Sequence, residues 1–129
     1  MTTKHPIGLI GLGVMGRSLA LNLADHGFDV SLHDRSPQAV ARSVADDTTG
    51  RLHGFESLAD FVASLAAPRK VLMMVNAGAP VDDVIAKIAP LLSPGDILVD
   101  GGNSLFADTE RRSAELAASG LCFVGAGVS

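Results

Sequence analysis

The chain has 129 residues, of which 47% are hydrophobic and 19% charged, and it carries a net charge of −4 at pH 7. That length and composition describe one folded domain with a real core and exclude two ordinary domains. The acidic balance and the absence of Trp, Tyr and any Lys/Arg cluster argue against a nucleic-acid binder. No apolar run approaches the ~20 residues of a membrane span, and Met1–Pro6 lacks the features of a signal peptide, so a cytoplasmic protein is expected.

The first element is an apolar strand, Ile7-Gly8-Leu9-Ile10, that runs straight into Gly11-Leu12-Gly13-Val14-Met15-Gly16 and a helix. Gly11, Gly13 and Gly16 match G-x-G-x-x-G, in which the first glycine makes a tight turn, the second admits phosphate close to the backbone, and the third lets helix pack on strand. A helix opening near Val14 aims unpaired N–H groups and the positive end of its dipole at an anion over the turn, which suits a dinucleotide pyrophosphate. Met15, Leu19 and Leu23 mark the apolar face of this helix, Gly27 stops it, and Asp29–His33 is a second strand, so the motif sits in a βαβ unit.

Asp34-Arg35-Ser36-Pro37 follows, with Ser36 as a cap and Pro37 in the first turn of a helix whose apolar positions run through Val40 and Val44. Asp46–Gly50 reads as a loop and Arg51–Gly54 as a short strand. Ser57-Leu58-Ala59-Asp60 is a capping box for a helix that ends before Pro68. Val71–Val75 is a continuous apolar run, as expected of a parallel strand covered on both faces, and it leads to Asn76, Ala77 and Gly78. Val81, Val84, Ile85 and Ile88 outline a helix with Asp82, Asp83 and Lys87 facing water, ended by Pro90.

A turn at Ser93–Asp96 enters the strand Ile97–Asp100, which leads to Gly101-Gly102-Asn103-Ser104. A helix from about Phe106 to Ser119, stopped by Gly120, and a last strand Leu121–Val124 follow. Cys122 lies in an apolar run and reads as an inert buried thiol, while Arg69-Lys70 and Arg111-Arg112 read as solvated pairs. Strand and helix alternate throughout, which predicts an α/β fold, a Rossmann-like doubly wound parallel sheet with helices on both faces.

In such a sheet ligands collect outside the carboxyl ends of the strands. The loops to inspect are therefore Gly11–Gly16, Asp34–Ser36, Val75–Gly78 and Gly101–Ser104, with Ser129 as a fifth contribution. Ala77, Gly78 and Ala79 are equally readable as turn punctuation. Gly101 and Gly102 are expected to let the backbone approach a flat ring, and Asn103 offers a donor and an acceptor on one short side chain. Asp34 lies 18 positions beyond Gly16, near the ~20-residue offset at which an acidic residue accepts hydrogen bonds from an NAD ribose. A carboxylate about 5 Å from a 2′-phosphate would repel it by roughly 3 kcal/mol per charge at an effective dielectric near 20. Arg35 acts in the opposite direction, pairing with such a phosphate and stacking on adenine, and Ser36 adds a hydroxyl.

Taken together these motifs resemble 6-phosphogluconate dehydrogenase, the decarboxylating oxidoreductase of the pentose phosphate pathway, across essentially the whole chain. The resemblance is carried by Gly11–Gly16, Asp25-His26-Gly27-Phe28, Ala77-Gly78 with Val81-Asp82-Asp83, and Leu98 to Ser104. Asp108-Thr109 with Arg111-Arg112, and Phe123-Val124-Gly125 with Gly127-Val128-Ser129, complete it. It implies that Gly11, Leu12, Gly13, Val14, Met15 and Gly16 hold the pyrophosphate, Asp34, Arg35 and Ser36 the adenosine ribose, and Val75, Asn76 and Ala77 the approach to the nicotinamide. Asn103 would touch both cofactor and substrate, and Ser129 the substrate. Family members oxidise the 3-hydroxyl of 6-phosphogluconate with NADP, lose carbon dioxide, and protonate the enediol to ribulose 5-phosphate. Their lysine base and glutamate acid, and the helical domain that completes a homodimer, come after the point where this sequence stops. Residues 1–129 are therefore expected to be the NAD(P)-binding domain alone, with no catalytic residue and no metal.

The chain departs from the family at three places: Gly13 stands where many members have alanine, which is harmless and closer to the general fingerprint, while Asn76, where lysine is common, and Asp34, where asparagine is usual, bear on the cofactor. Asp34 keeps NAD open beside NADP. Within the enzyme class the alternative is a 3-hydroxyisobutyrate-type dehydrogenase, which usually has a Ser-Thr pair in place of Asn103-Ser104. A non-catalytic NAD(P)-sensing module and a purely structural domain are the alternatives outside it.

Overall fold

The computed structural model describes residues 3–126. Along them run β1 (Ile7–Ile10), α1 (Val14–Asp25), β2 (Val30–His33), α2 (Pro37–Asp46), β3 (Leu52–Gly54) and α3 (Leu58–Ala63). Then come β4 (Lys70–Met73), α4 (Ala79–Ile88), a 3₁₀ turn at Ala89–Leu91, β5 (Ile97–Asp100), α5 (Phe106–Ala117) and β6 (Cys122–Gly125). The strands form one parallel sheet in the order β3-β2-β1-β4-β5-β6. The chain thus winds outward in one direction from β1 and restarts at β4 on the other side, so the two crossovers diverge between β1 and β4 and open a crevice there.

Alternation along the strands supplies two cores. Leu9, Val30, Leu32 and Leu52 pack with Ala20 and Ala24 of α1 and Val40 of α2 on one face. Ile10, Val71, Met73 and Leu98 pack with Phe61, Val81, Ile88 and Leu116 on the other, so the helices cover both faces as the sequence predicts. Each fully buried Leu, Ile or Phe contributes roughly 1.5–3 kcal/mol by leaving water.

Several boundaries and faces differ from the sequence reading, each for a tertiary reason. The stripe of α1 that meets the sheet is Gly16, Ala20 and Ala24, one residue on from Met15, Leu19 and Leu23, and Met15 is exposed. Small side chains let α1 sit close to β1, and the larger ones flank the contact. β4 ends at Met73, two residues early: Met74 N–H still donates to the Ile10 carbonyl at 2.7 Å, but the chain then leaves the sheet toward α4. α3 stops at Ala63 because the next residues pair with the N-terminal segment, His5 N–H donating to Ser64 O at 2.8 Å and Ala66 N–H to His5 O at 2.9 Å. The His5 ring stacks on His53 with centroids 4.1 Å apart, and its Nδ1 lies 2.7 Å from Ser31 Oγ.

Three side chains taken as bland are not. Cys122 is exposed, since it opens the edge strand β6 with its side chain on the outer face. Arg69 is tied to the buried Asp96 at 3.1 Å, and its Nε donates to the Val62 carbonyl at 3.1 Å. Arg112 is 1% exposed. Arginines enter a core when a carboxylate and carbonyls meet their five donors, and that requires neighbours that only the fold supplies.

Candidate dinucleotide-binding site

Two adjoining clefts lie over the carboxyl ends of the strands. One, of about 450 Å³, is lined by the turn from Gly13 to Gly16, by Asn76 and Ala77, and by Gly101 to Asn103. The other, of about 590 Å³, runs from the same turn past Asp34, Arg35 and Ser36. Gly13, Met74, Val75 and Asn76 border both, so the pair forms one groove across the divergence between β1 and β4. Its length and its mixture of apolar and polar lining suit an extended ligand with a charged middle.

The glycine turn is built by its neighbours. Gly11 has φ +100°, and its N–H donates to the His33 carbonyl at 3.1 Å, so the β1–β2 ladder continues one residue into the turn before the chain reverses. A Cβ on Gly16 would land on the Gly11 carbonyl oxygen, which is why helix and turn can close only around a glycine. Gly13 is different. Its φ is −69°, and a Cβ there would meet nothing within 4 Å, so the protein does not need a glycine at that place to fold. The free volume faces the groove, where the first N–H groups of α1 have no helical partner. An anionic pyrophosphate fits that cradle.

Asp34 behaves unlike a free ribose acceptor. One carboxylate oxygen takes the Leu12 N–H at 2.7 Å and the other takes the Ser36 N–H at 2.8 Å, so Asp34 staples the glycine turn to the start of α2. Ser36 then caps that helix, its Oγ accepting the Ala39 N–H at 3.3 Å. Arg35 is exposed beside them at the groove. Two further cations border the same cleft, Arg42 from α2 and Lys87 from α4, against the carboxylates of Asp34 and Asp83. Sequence reading missed both cations. Arg42 sits five positions after Pro37, at a spacing that points it off the buried Val40 face, and that was its only signal.

At the other end the loop after β5 is held by Asp100, which is 1% exposed. Its Oδ1 accepts the Gly102 N–H at 3.0 Å and its Oδ2 accepts the Ser104 hydroxyl, leaving Asn103 exposed at the cleft between two anchored neighbours. Gly101 and Gly102, which the sequence suggests let the backbone approach a flat ring, border the cleft and also serve the packing behind it. A Cβ on Gly101 would strike the Met74 sulfur and one on Gly102 the Val75 carbonyl, so these glycines let the loops after β4 and β5 pack together. Arg112 lies behind this loop. Its Nε and Nη2 grip Asp82 at 2.9 and 3.3 Å, Nη2 also donates to the Gly78 carbonyl at 3.2 Å, and Nη1 donates to Ser104 Oγ at 3.2 Å. The Arg112 guanidinium holds the Asp82 carboxyl below the usual carboxylate range, with Arg111 acting in the same sense. Asp82 therefore ties two helices together instead of facing water alone.

The groove thus gathers the predicted residues Gly13 to Gly16, Asp34 to Ser36, Val75 to Ala77 and Asn103, with Gly11 and Leu12 forming the floor of the turn. Ser129 lies outside the described residues. Among those residues no cluster of three or more His, Cys, Asp or Glu side chains could hold a metal ion, and no helix is long and apolar enough to cross a membrane.

Comparison with known proteins agrees with this geometry. Residues 6–129 match the family described as the NAD binding domain of 6-phosphogluconate dehydrogenase. The chain is 50% identical over its whole length to 27% of the decarboxylating 6-phosphogluconate dehydrogenase of Chlamydia trachomatis. It is 51% identical, over 95% of its length, to 25% of enzyme 1 of that name from Saccharomyces cerevisiae. Its fold superimposes on Plasmodium falciparum 6-phosphogluconate dehydrogenase, a structure described with NADP+ and with 6-phosphogluconate, at a TM-score of 0.85 and 31% identity over 92% of this chain and 26% of that one. Mycobacterium tuberculosis 3-hydroxyisobutyrate dehydrogenase shares the fold, with a TM-score of 0.80 at 22% identity over 95% of this chain and 40% of that one. The chain spans about a quarter of the length of the relatives named by sequence, 27% and 25%. With the glycine turn, the Asp100–Ser104 loop and a match from residue 6 to residue 129 all in agreement, the chain belongs to the family of NAD-binding domains of 6-phosphogluconate dehydrogenase.

Proposed function

We propose that this chain is the cofactor-binding domain of a decarboxylating 6-phosphogluconate dehydrogenase and that its cofactor is NADP. The observation that carries the reading is the groove that runs from Arg35 past the open face of Gly13 to Asn103, two adjoining clefts that meet at the glycine turn where the pyrophosphate would lie. Gly11, Leu12, Gly13, Val14, Met15 and Gly16 would hold the pyrophosphate, and Asp34, Arg35 and Ser36 the adenosine ribose. Val75, Asn76 and Ala77 would lead to the nicotinamide, Asn103 would bridge cofactor and substrate, and Ser129 would reach the substrate. A bound dinucleotide supplies the hydride acceptor. The residues of this chain bind it, orient it and shield one face of it, and no acid or base among residues 3–126 is placed over the cleft near Asn103 to move protons. 6-Phosphogluconate as substrate, a homodimer and a cytoplasmic location belong to the complete enzyme in this reading.

NADP is favoured over NAD by charge. Three basic side chains, Arg35, Arg42 and Lys87, border the adenosine end against two carboxylates, and one of these, Asp34, already spends both oxygens on backbone N–H groups. Hydrogen bonds to a carboxylate reduce its effect on a nearby phosphate, so the repulsion expected from the sequence is weakened. The Asp34 carboxylate remains the specific observation for NAD, because an oxygen that accepts one N–H can still accept a ribose hydroxyl.

Calorimetric titration of the purified chain tests both parts. NADP is expected to bind, to raise the melting temperature and to bind more tightly than NAD, and addition of 6-phosphogluconate is expected to produce no NADPH. No heat and no thermal protection from either dinucleotide would reject the reading. NADPH formation by these 129 residues alone would reject the assignment of the proton chemistry to the remainder of the enzyme.

A further inference from the structure

Two loops reach the nicotinamide end of the groove from different crossovers: Asn76–Gly78 after β4, and Gly101–Ser104 after β5. Each is tied locally, the Gly78 carbonyl accepting the Val81 N–H at 3.1 Å and the β5 loop resting on Asp100, but these local bonds do not link one loop to the other. Gly78, the N-cap of α4, has φ +91° and makes no side-chain cap, and Asn103 is exposed. One buried side chain touches both loops. Arg112, 1% exposed, donates to the Gly78 carbonyl at 3.2 Å and to the Ser104 hydroxyl at 3.2 Å, while its remaining donors fork onto Asp82 of α4 at 2.9 and 3.3 Å.

We propose that Arg112 is a positioning residue for the nicotinamide end of the site, a planar clamp that sets the separation between the Ala77 loop and the Asn103 loop. This rests on the dinucleotide reading above. A guanidinium is suited to the task because its donors diverge from a rigid plane, so three partners on three segments are fixed relative to one another by a single group. A lysine at the same place would offer a point charge on a flexible stem and hold at most part of that set. The bonds also run in series: Ser104 receives Arg112 on one side and gives its own proton to Asp100, and Asp100 takes the Gly102 N–H, so both neighbours of Asn103 are anchored to the same pair. Arg112 itself does not border the groove, and its effect on a ligand passes entirely through these loops. If packing alone were the purpose, an apolar side chain between α4 and α5 would serve, since buried ion pairs are often replaceable by apolar groups at no loss of stability.

The experiment compares Arg112→Lys, Ser104→Ala and Ser104→Thr in the 129-residue chain by calorimetry. The probes are NADPH, which spans the groove, and adenosine 2′,5′-bisphosphate, which carries only the adenosine end. Arg112→Lys and Ser104→Ala are each expected to weaken NADPH about tenfold, the loss of one charge-assisted hydrogen bond, and to change the bisphosphate by less than about twofold. Ser104→Thr, which keeps the hydroxyl, is expected to restore NADPH affinity. In the ligand-free protein the amide signals of residues 102–104 should broaden in Arg112→Lys while those of 34–36 stay sharp. Equal weakening of both probes would show a general loss of structure and overturn the proposal, as would unchanged NADPH affinity in Ser104→Ala, a variant that keeps the buried arginine and its Asp82 pair if Arg112→Lys does not fold. A wild-type chain that binds neither probe would overturn the dinucleotide reading itself, and the clamp with it.

Discussion

At the scale of single residues, the glycines of one motif do unlike jobs. Gly16 is required by the protein, because its missing side chain is the space occupied by the Gly11 carbonyl; Gly13 is not, because nothing of the protein lies within 4 Å of its absent Cβ, and in the proposed reading that open face is left to the ligand. Gly16→Ala should therefore destabilise the ligand-free chain by about 1–3 kcal/mol, as overpacking does in a tight contact. Gly13→Leu should cost the ligand-free fold no more than about 1 kcal/mol, the scale of a poor N-cap, while abolishing measurable dinucleotide binding. Thermal melts with and without NADP separate the two, and the reverse ranking would undo the argument. Asp96 is a second residue whose weight is structural. It is 1% exposed and accepts the N–H groups of Ser93 and Arg69 at 2.8 and 2.7 Å, besides the Arg69 guanidinium. Burial pushes its carboxyl up, and these donors together outweigh that and hold it low. Asp96→Ala would leave two N–H groups unpaired, and denaturant titration should record a loss of about 2–4 kcal/mol.

Among the elements, the link from α2 to β3 responds to pH in a direction that can be worked out. Burial raises the Asp47 carboxyl, but the Thr49 hydroxyl and the N–H groups of Thr49 and Leu52 bind its ionised form and bring it from 3.8 down to about 2. A carboxyl held lower in the fold than in the unfolded chain contributes stability above the unfolded value and loses it as pH falls through the folded one. The contribution of Asp47 should therefore be complete above about pH 4 and vanish toward pH 2. Asp29, Asp82 and Asp96 are also lowered and act in the same sense. Melting temperatures recorded from neutral pH downward should stay level and then drop in that window, and Asp47→Asn should flatten the drop. A stability that rises on acidification would contradict it. Helix α1 shows how far local pattern reaches. Its existence, its start after Gly13 and its stop near Gly27 were readable, but the face it buries was displaced by one residue, because hydrophobicity favoured Met15, Leu19 and Leu23 whereas close packing on β1 favoured Gly16, Ala20 and Ala24.

Across the whole molecule, the order β3-β2-β1-β4-β5-β6 decides where a ligand can bind. It brings the glycine turn, Asp34–Ser36 and the loops after β4 and β5 to one end of the sheet, and it collects Arg35, Arg42 and Lys87 around one end of the groove although the chain as a whole is acidic at −4. In the proposed reading it is this local field, rather than net charge, that favours NADP. Arg35→Ala should weaken NADP by roughly tenfold or more, the value of a paired phosphate contact, and NAD by much less; equal losses would remove the support for NADP. Asp34→Asn is the less clean test, since an amide has only one oxygen for the two N–H groups that the carboxylate now accepts.

The alternating fold, the glycine turn and the loops that border the groove were legible in the sequence because each is encoded by neighbours a few positions apart: a period of apolar residues, a cap, a glycine at a reversal. Only the tertiary structure decided that Arg112 is buried, that Asp34 staples a turn, and that Gly101 and Gly102 make room for Met74 and Val75. These roles depend on partners far along the chain: Arg112 meets the Gly78 carbonyl across a separation of 34 residues, and Asp34 meets the Leu12 N–H across 22. A polar side chain states what bonds it can make, but which atoms come within reach is settled by how the crossovers pack, and no local pattern carries that information.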